Sequence, residues 1–262
     1  MHALIKPFSS QFAVLLACAL SSSLATAADL KTAEHGDELF DGKTLQGWIG
    51  NMDYWRVQDG AIVGEIPAGK SLSKNEFIYW DAGVIADFEL SVEYRITGAA
   101  NSGIQIRSQR QNSVEWQARG YQADLDDGWE WLGRVYEEEG RGLITERGTR
   151  VSIAPDGRRW VDPYPFATPA SFRTVPRKAD WNTYEIRAAG PHMETRVNGV
   201  LFSVLDDHQL NAAKYAGKLA FQLHSGGGPA KIEFRNVRVK HLGRTALPNK
   251  NEKDSAALPA TP

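Results

Sequence analysis

Three short stretches of this chain pair an amide with a chargeable group two residues later: Gln105 with Arg107, Gln122 with Asp124, and Gln222 with His224. Residues two apart share a face of an extended strand, so each pair would stand on one side of its strand. The residues between and beside them are apolar: Ile104 and Ile106, then Tyr121, Ala123 and Leu125, then Phe221 and Leu223. If the three strands are neighbours, their polar faces join into a patch holding a cation, a carboxylate and an imidazole. Such a patch can hydrogen-bond a polyhydroxylated ligand and move a proton near neutral pH, where imidazole titrates. The competing reading is a plain water-facing side of a sheet. An amide is an unusual choice for that side, and its threefold use gives the ligand reading equal weight. The loop Ser225-Gly226-Gly227-Gly228 behind His224 is flexible enough to admit a ligand, but no helix or Lys follows to make it a phosphate site.

The elements that must position these groups are strands. Phe88 to Arg95 alternates apolar and polar without a fault, and Ile232 to Val239 does so with one break at Asn236 that predicts a bulge. Asp59-Gly60 and Asn198-Gly199 each separate two alternating runs and tolerate the positive φ of a tight hairpin turn. Only Asp207 to Tyr215 reads as helical, and Val151 to Pro176, with five prolines and an Arg pair, reads as a long surface loop. No internal repeat of 20–50 residues is present. Many short alternating strands in one domain of roughly 210 residues imply two packed antiparallel sheets. The expected fold is all-β, an antiparallel β-sandwich or jelly roll.

The chain has 262 residues, a formal charge of −2 and a pI near 6.3, so no nucleic-acid partner is expected. A single cysteine excludes an intrachain disulfide scaffold and any Cys-rich metal site. Lys6 precedes an apolar run from Phe12 to Leu20, and Ala25-Thr26-Ala27 follows it. This is the pattern of a secretory signal peptide, residues 1–27, cleaved after Ala27. The run is too short to span a bilayer roughly 30 Å thick, so no integral membrane segment is expected after cleavage, and the location expected is periplasmic or secreted. Leu15-Leu16-Ala17-Cys18 offers a rival lipoprotein reading, which the bulk of Leu16 and the apolar Ala19-Leu20 beyond the cut disfavour. Cleavage removes Cys18 and one Lys, leaving a formal charge of 29 − 32 = −3. Residues 245–262, rich in Pro, Ala and Lys, read as a disordered tail.

Nine stretches, in order, resemble the 3-keto-disaccharide hydrolase family. They are Leu39-Phe40-Asp41-Gly42-Lys43-Thr44-Leu45-Gln46-Gly47-Trp48; Asp87-Phe88-Glu89-Leu90 with Glu93-Tyr94-Arg95; Asn101-Ser102-Gly103-Ile104-Gln105-Ile106-Arg107-Ser108; and Gly120-Tyr121-Gln122-Ala123-Asp124. Then come Gly133-Arg134-Val135-Tyr136-Glu137-Glu138 with Arg141-Gly142; Asp180-Trp181-Asn182-Thr183-Tyr184-Glu185-Ile186; Asn198-Gly199; Gln222-Leu223-His224-Ser225-Gly226; and Phe234-Arg235-Asn236-Val237. The likeness covers a domain of residues 38–242. It implies a concanavalin-like jelly roll whose concave sheet holds the ligand, in exported proteins acting on oxidised glycosides. The chain departs from the family pattern in its aromatic Trp129-Glu130-Trp131 and in the Val151–Pro176 segment.

The chemistry so implied is specific. A ketone at sugar C3 acidifies the C2 proton, because the carbanion delocalises as an enolate. The C1–O bond lies β to that carbanion and can break by elimination, after which water adds to the enone. Such a site needs a base at C2, a donor or cation at the C3 oxygen and an acid for the leaving oxygen. On this resemblance His224 is the base or acid, Asp124 or Glu137 its carboxylate partner, and Arg107 the cation at the enolate oxygen. Gln105, Gln122, Gln222 and Asn101 would hold a small carbohydrate substrate, with Tyr136 and Trp131 stacked on it and Trp129 beside them. Asp124, Glu137 and His224 could alternatively ligate a divalent metal through oxygen and nitrogen. For Glu137 an ion pair with Arg134 or Arg141 is equally open, for Tyr136 a core position, and Trp48, Trp55 and Trp181 are expected in the core. The oligomeric state stays open. The same residues would also suit a non-catalytic carbohydrate-binding module, or a glycosidase of unoxidised sugars with two carboxylates about 5–9.5 Å apart.

Overall fold

The computed structural model describes residues 36–243 except 99, 112–114 and 129. The expected signal peptide with Cys18, the tail at 245–262 and Trp129 lie outside the described residues. Among the described residues no helix is long and apolar enough to cross a membrane. The fold is all-β, an antiparallel β-sandwich of the jelly-roll type, as the alternating sequence implies.

One sheet has seven strands in the spatial order Gly142–Thr145, Val135–Glu138, Ala118–Asp126, Asn101–Arg110, Gly217–Leu223, Glu76–Ile85 and Trp48–Ile49. The three amide-bearing strands are therefore consecutive and antiparallel. The second sheet has ten strands, with Asn182–Ala189, Phe88–Gly98 and Ala230–His241 at its centre. A parallel pair, Arg150–Ile153 with Val200–Asp207, interrupts its antiparallel order.

Period-two patterning builds the layer between the sheets. Phe88, Leu90, Val92, Tyr94 and Ile96 face inward from one sheet, and Ile104, Ile106, Tyr121, Ala123 and Leu125 from the other. Phe221 stacks on Phe234 of the opposite sheet at 3.9 Å and on Trp48 at 5.1 Å. Trp48 and Trp55 lie in this core as expected. Trp181 does not: it is half-buried between the guanidinium groups of Arg95 and Arg235, 4.7 and 3.9 Å from its ring. Both Asp59-Gly60 and Asn198-Gly199 take positive φ at both positions, as their hairpins require. Asn236 has φ 49° at the point where its strand shifts register.

Two expectations are corrected. Asp207 to Tyr215 is a series of turns, since the Asp207 carboxylate accepts from the Gln209 N–H and Asn211 turns to φ 65°. The Val151–Pro176 segment is not one surface loop. It carries the strand Arg159–Val161, most of the strand Arg150–Ile153, and a 3-10 turn, Pro169–Phe172, that buries Phe172 against Phe202.

The strand Asn101–Arg110 also breaks its own alternation. Arg107 has φ 47°, and the ladders to both neighbours shift register there. This bulge swings Arg107 off the face it would share with Gln105. A Cβ at Gly217 would lie 2.3 Å from the Arg107 carbonyl carbon, and one at Gly120 would lie 2.7 Å from the Ser108 Cα. The neighbouring strands thus make room for the bulge with glycines. Arg107 Nε donates to the Ala86 carbonyl at 2.8 Å, Nη1 to Gly190 and Lys214 carbonyls at 2.7 and 3.2 Å, and Nη2 to Asp87 Oδ1 at 3.0 Å. The expected enolate-stabilising cation is therefore a buried clamp between chain segments. Arg107→Ala would leave the Asp87 carboxylate buried without its guanidinium, and the expected loss is about 3–5 kcal/mol, measured as a lowered urea midpoint. A loss below 1 kcal/mol would contradict the clamp.

Candidate active site

The outer face of the seven-stranded sheet carries a row of buried polar side chains, which is unusual for a sheet side that would otherwise meet water. Gln105 lies directly across from Gln122 on the adjacent strand and donates from Nε2 to Gln122 Oε1 at 2.9 Å. Gln122 in turn donates from Nε2 to Asp124 Oδ1 at 2.8 Å. Gly103 faces Asp124 across the ladder, and a Cβ there would come within 2.3 Å of the Gln122 side chain. Glycine is what lets Gln122 lie flat on the sheet. The Gln222 side chain is fully buried on the next strand, with neither amide atom hydrogen-bonded among the described residues.

These groups open into a cleft of about 510 Å³. Asn101, Gln122, Asp124, Trp131, Tyr136, Gln222 and His224, all nominated from sequence, line it. Gln105 does not reach the cleft and touches it only through Gln122. Burial pushes the Asp124 carboxyl up to about 8, against the lowering effect of the Gln122 hydrogen bond. Burial therefore favours the acid form of this carboxyl. Its Oδ1 receives an N–H, so in that form the proton belongs on Oδ2, which has no hydrogen-bond partner among the described residues. His224 is exposed at the rim, with Nδ1 2.7 Å from the Ser225 carbonyl. Donation from Nδ1 leaves Nε2 as the acceptor of the neutral ring.

Glu137 is corrected. The register sets Tyr136 opposite Gln122 and Glu137 opposite Tyr121, so Tyr136 faces the cleft and Glu137 the other side of the sheet. There it is buried in an ion pair with Arg141, which also reaches Asp207 at 2.6 Å. Arg134 pairs instead with Glu146 at 2.8 Å. The trio Asp124, Glu137 and His224 does not converge, and among the described residues no group of three or more His, Cys, Asp or Glu is placed to hold a metal ion.

Sequence reasoning missed Glu138, Asn75, Asp126 and Glu130, all of which line the cleft. Glu138 could have been found: residues 136 and 138 share a face, so choosing Tyr136 selects Glu138 over Glu137. Burial raises its carboxyl, opposed by a hydrogen bond from Asn75 Nδ2 at 3.1 Å. Asn75 Oδ1 also accepts the Ser225 N–H at 2.9 Å, which ties the His224 loop to Glu138. Asp126 accepts the N–H groups of Gly128 and Trp131 at 2.8 and 2.9 Å. It thereby holds the Trp131 ring edge-on to Tyr136, with Arg134 stacked over it at 4.7 Å.

Residues 36–240 match the 3-keto-alpha-glucoside-1,2-lyase-like domain. The chain belongs to this family. No curated protein matches it. Two candidate glycosyl hydrolases from Parabacteroides distasonis ATCC 8503 share the fold of this lyase-like domain. One has a TM-score of 0.53 at 18% identity over 79% of this chain and 98% of its own, the other 0.51 at 19% over 84% and 99%. A Bacillus subtilis protein of unknown function with a galectin-like fold gives 0.50 at 10% identity over 77% and 92%. The family makes the lyase-like domain a carbohydrate-active protein.

The Asp124 environment has a consequence for stability. Its folded value, about 8, lies above the usual carboxylate range, so between about pH 4 and pH 8 the unfolded chain has released this proton and the folded chain has not. Folding stability must therefore fall with rising pH across that window. Asp124→Asn removes the dependence. The variant should match the wild type near pH 4 and exceed it by an amount that grows toward pH 8, on the order of a few kcal/mol at most. Thermal melts at several pH values would show it, and parallel curves would refute it.

Proposed function

We propose that this domain cleaves the glycosidic bond of 3-keto-glycosides, including 3-keto-disaccharides, by proton abstraction at C2, elimination and hydration, in an exported protein. One observation carries the reading: a buried carboxyl and a buried amide, with Asp124 Oδ2 and both Gln222 amide atoms unpartnered among the described residues, share a cleft with an imidazole. His224 Nε2 takes the C2 proton, and the electron pair moves onto the C3 oxygen as an enolate. Asp124 Oδ2–H and the Gln222 amide N–H face that oxygen, the role first given to Arg107. A neutral carboxylic acid serves here because it can donate a hydrogen bond without needing a counter-ion. Collapse of the enolate restores the ketone, forms the C1–C2 double bond and expels the oxygen at C1, which takes its proton from Glu138. Water then adds across the double bond to give the free 3-keto sugar. Tyr136 and Trp131 offer the ring faces on which a sugar stacks, and Asn101 and Gln122 the polar groups for its hydroxyls.

The cleft lining also defines what it refuses. Asp124, Asp126, Glu130 and Glu138 line it, and no Lys or Arg does among the described residues. Neutral sugars fit this lining, whereas an anionic substituent would enter among carboxyl groups with no cation to pair it.

With purified protein, a 3-keto-glucoside should be cleaved and its parent glucoside left intact. His224→Ala should lower kcat/KM by about 10²–10⁴, and Asp124→Ala, which removes the donor that an Asn would keep, by about 10²–10³, while the chain stays folded. Cleavage of the parent sugar would instead identify a glycosidase using Asp124 and Glu138, and absence of cleavage on both would identify a binding module. A 3-keto-glucuronoside should show a KM at least ~10-fold higher than the neutral sugar. Intact mass of the protein recovered from the periplasm should give Ala28 as its first residue.

A further inference from the structure

Gln105 has no place in the mechanism above. It is wholly buried, does not line the cleft, and would pass for a polar residue stranded in a sheet. Its single side-chain bond gives it a purpose. Gln122 is a side-chain amide with one donor end and one acceptor end, and either end could face Asp124. Gln105 Nε2 donates to Gln122 Oε1 at 2.9 Å, which occupies the acceptor end and leaves Nε2 to face Asp124 Oδ1 at 2.8 Å. If Gln122 were reversed, its oxygen would face Asp124. That arrangement is repulsive to a carboxylate and draws the proton of the acid form onto Oδ1. Oδ2 would then face the substrate as a bare carbonyl oxygen, unable to donate.

We infer that Gln105 is a positioning residue: acting through Gln122, it holds Asp124 with Oδ1 occupied, so that Oδ2 is the atom that carries the proton and donates the hydrogen bond. Three observations converge on this. The three side chains are successive neighbours on one face of two paired strands, Gln105 across the ladder from Gln122 and Asp124 two residues along from it. All three are at least nine-tenths buried, so water does not compete for the bonds. Of the two Asp124 carboxyl oxygens, Oδ2 is the one without a hydrogen-bond partner among the described residues. The Gly103 position belongs to the same device, because a side chain there would displace Gln122. The inference rests on the proposed role of Asp124 for its catalytic meaning, but the relay itself can be tested without substrate.

The test is a carboxyl titration of protein carrying ¹³C-labelled aspartate, followed by NMR, with the Asp124 resonance identified by its absence from Asp124→Asn. Gln105→Met keeps the side-chain length and removes the donor. It should raise the Asp124 midpoint by half a pH unit or more, because the N–H that stabilises the carboxylate is no longer held toward it. Gln122→Met should raise it at least as far, and the double variant no further than Gln122→Met alone, since Gln105 acts only through Gln122. Gln105→Leu, close in volume and likewise without a donor, should raise the midpoint too, and it serves if the Met variant does not fold. An unchanged midpoint in the Gln105 variants, or a double variant whose shift is the sum of the two, would overturn the inference. On the 3-keto-glucoside, Gln105→Met should lower kcat more than it raises KM and displace the pH profile in the direction of the NMR shift. A shifted midpoint in a protein that cleaves nothing would leave the relay standing and remove the catalytic reading.

Discussion

The site depends on the two-residue period of the strands Asn101–Arg110 and Ala118–Asp126, and on the one place where that period fails. Along both strands the apolar residues are committed to the layer between the sheets, where Phe221 and Phe234 stack. Gln105, Gln122 and Asp124 are left no other direction than outward. A one-residue slip would exchange the two sets and place a carboxyl among the phenylalanines, so the core fixes the register and the register fixes the site. The bulge at Arg107 ends this pattern. It turns a cation that alternation would have placed in the cleft into the interior, where Asp87 and three backbone carbonyls surround it. One left-handed residue thereby makes the cleft free of a guanidinium and anchors the end of the sheet.

That separation shapes the electrostatics on the two sides of one sheet. On the inner side, Glu137, Arg141, Asp207 and Tyr121 form a network in which the buried charges have partners. On the outer side, Asp124 Oδ2, Gln105 Oε1 and both amide atoms of Gln222 are buried without hydrogen-bond partners among the described residues. Each such group costs roughly 1–3 kcal/mol when nothing bonds to it. The inner network has its bonds in place and serves the fold. The outer row has bonds still to make, which is the physical state of a surface prepared for a polar ligand.

Much of this was legible in the chain, and what was not has a physical cause. The hairpins at Asp59-Gly60 and Asn198-Gly199, the bulge at Asn236 and the inward and outward assignment of Tyr121 through Leu125 follow from local rules, and all appear in the structure. Arg107 escaped because a bulge need not announce itself: glycines at 120 and 217, each on a neighbouring strand, accommodate it. Glu137 was a failure of consistency, since alternation puts Tyr136 and Glu137 on opposite faces of a strand and both were assigned to one site. Asp207 to Tyr215 has helix-compatible residues, but the Asp207 carboxylate is drawn by Arg141 and Tyr121 from elsewhere in the chain, and tertiary bonding overrode local preference.

Asn75 shows the limit most directly. Nothing near it in sequence marks it as part of a site, yet it bonds Glu138 63 residues away and Ser225 150 residues away. It joins Glu138 and the loop that presents His224, two groups on the wall of one cleft. Their separation is thus set by a single amide whose donor end takes one group and whose acceptor end takes the other. The same chemistry recurs at Gln122, whose acceptor end takes Gln105 and whose donor end takes Asp124. A neutral amide can orient an acid on either side of the cleft without contributing a charge that would pull its proton off, as a lysine or arginine in that place would. The abundance of amides on these strands, a departure from an ordinary solvent face, suits a cleft in which burial raises the carboxyls of Asp124 and Glu138.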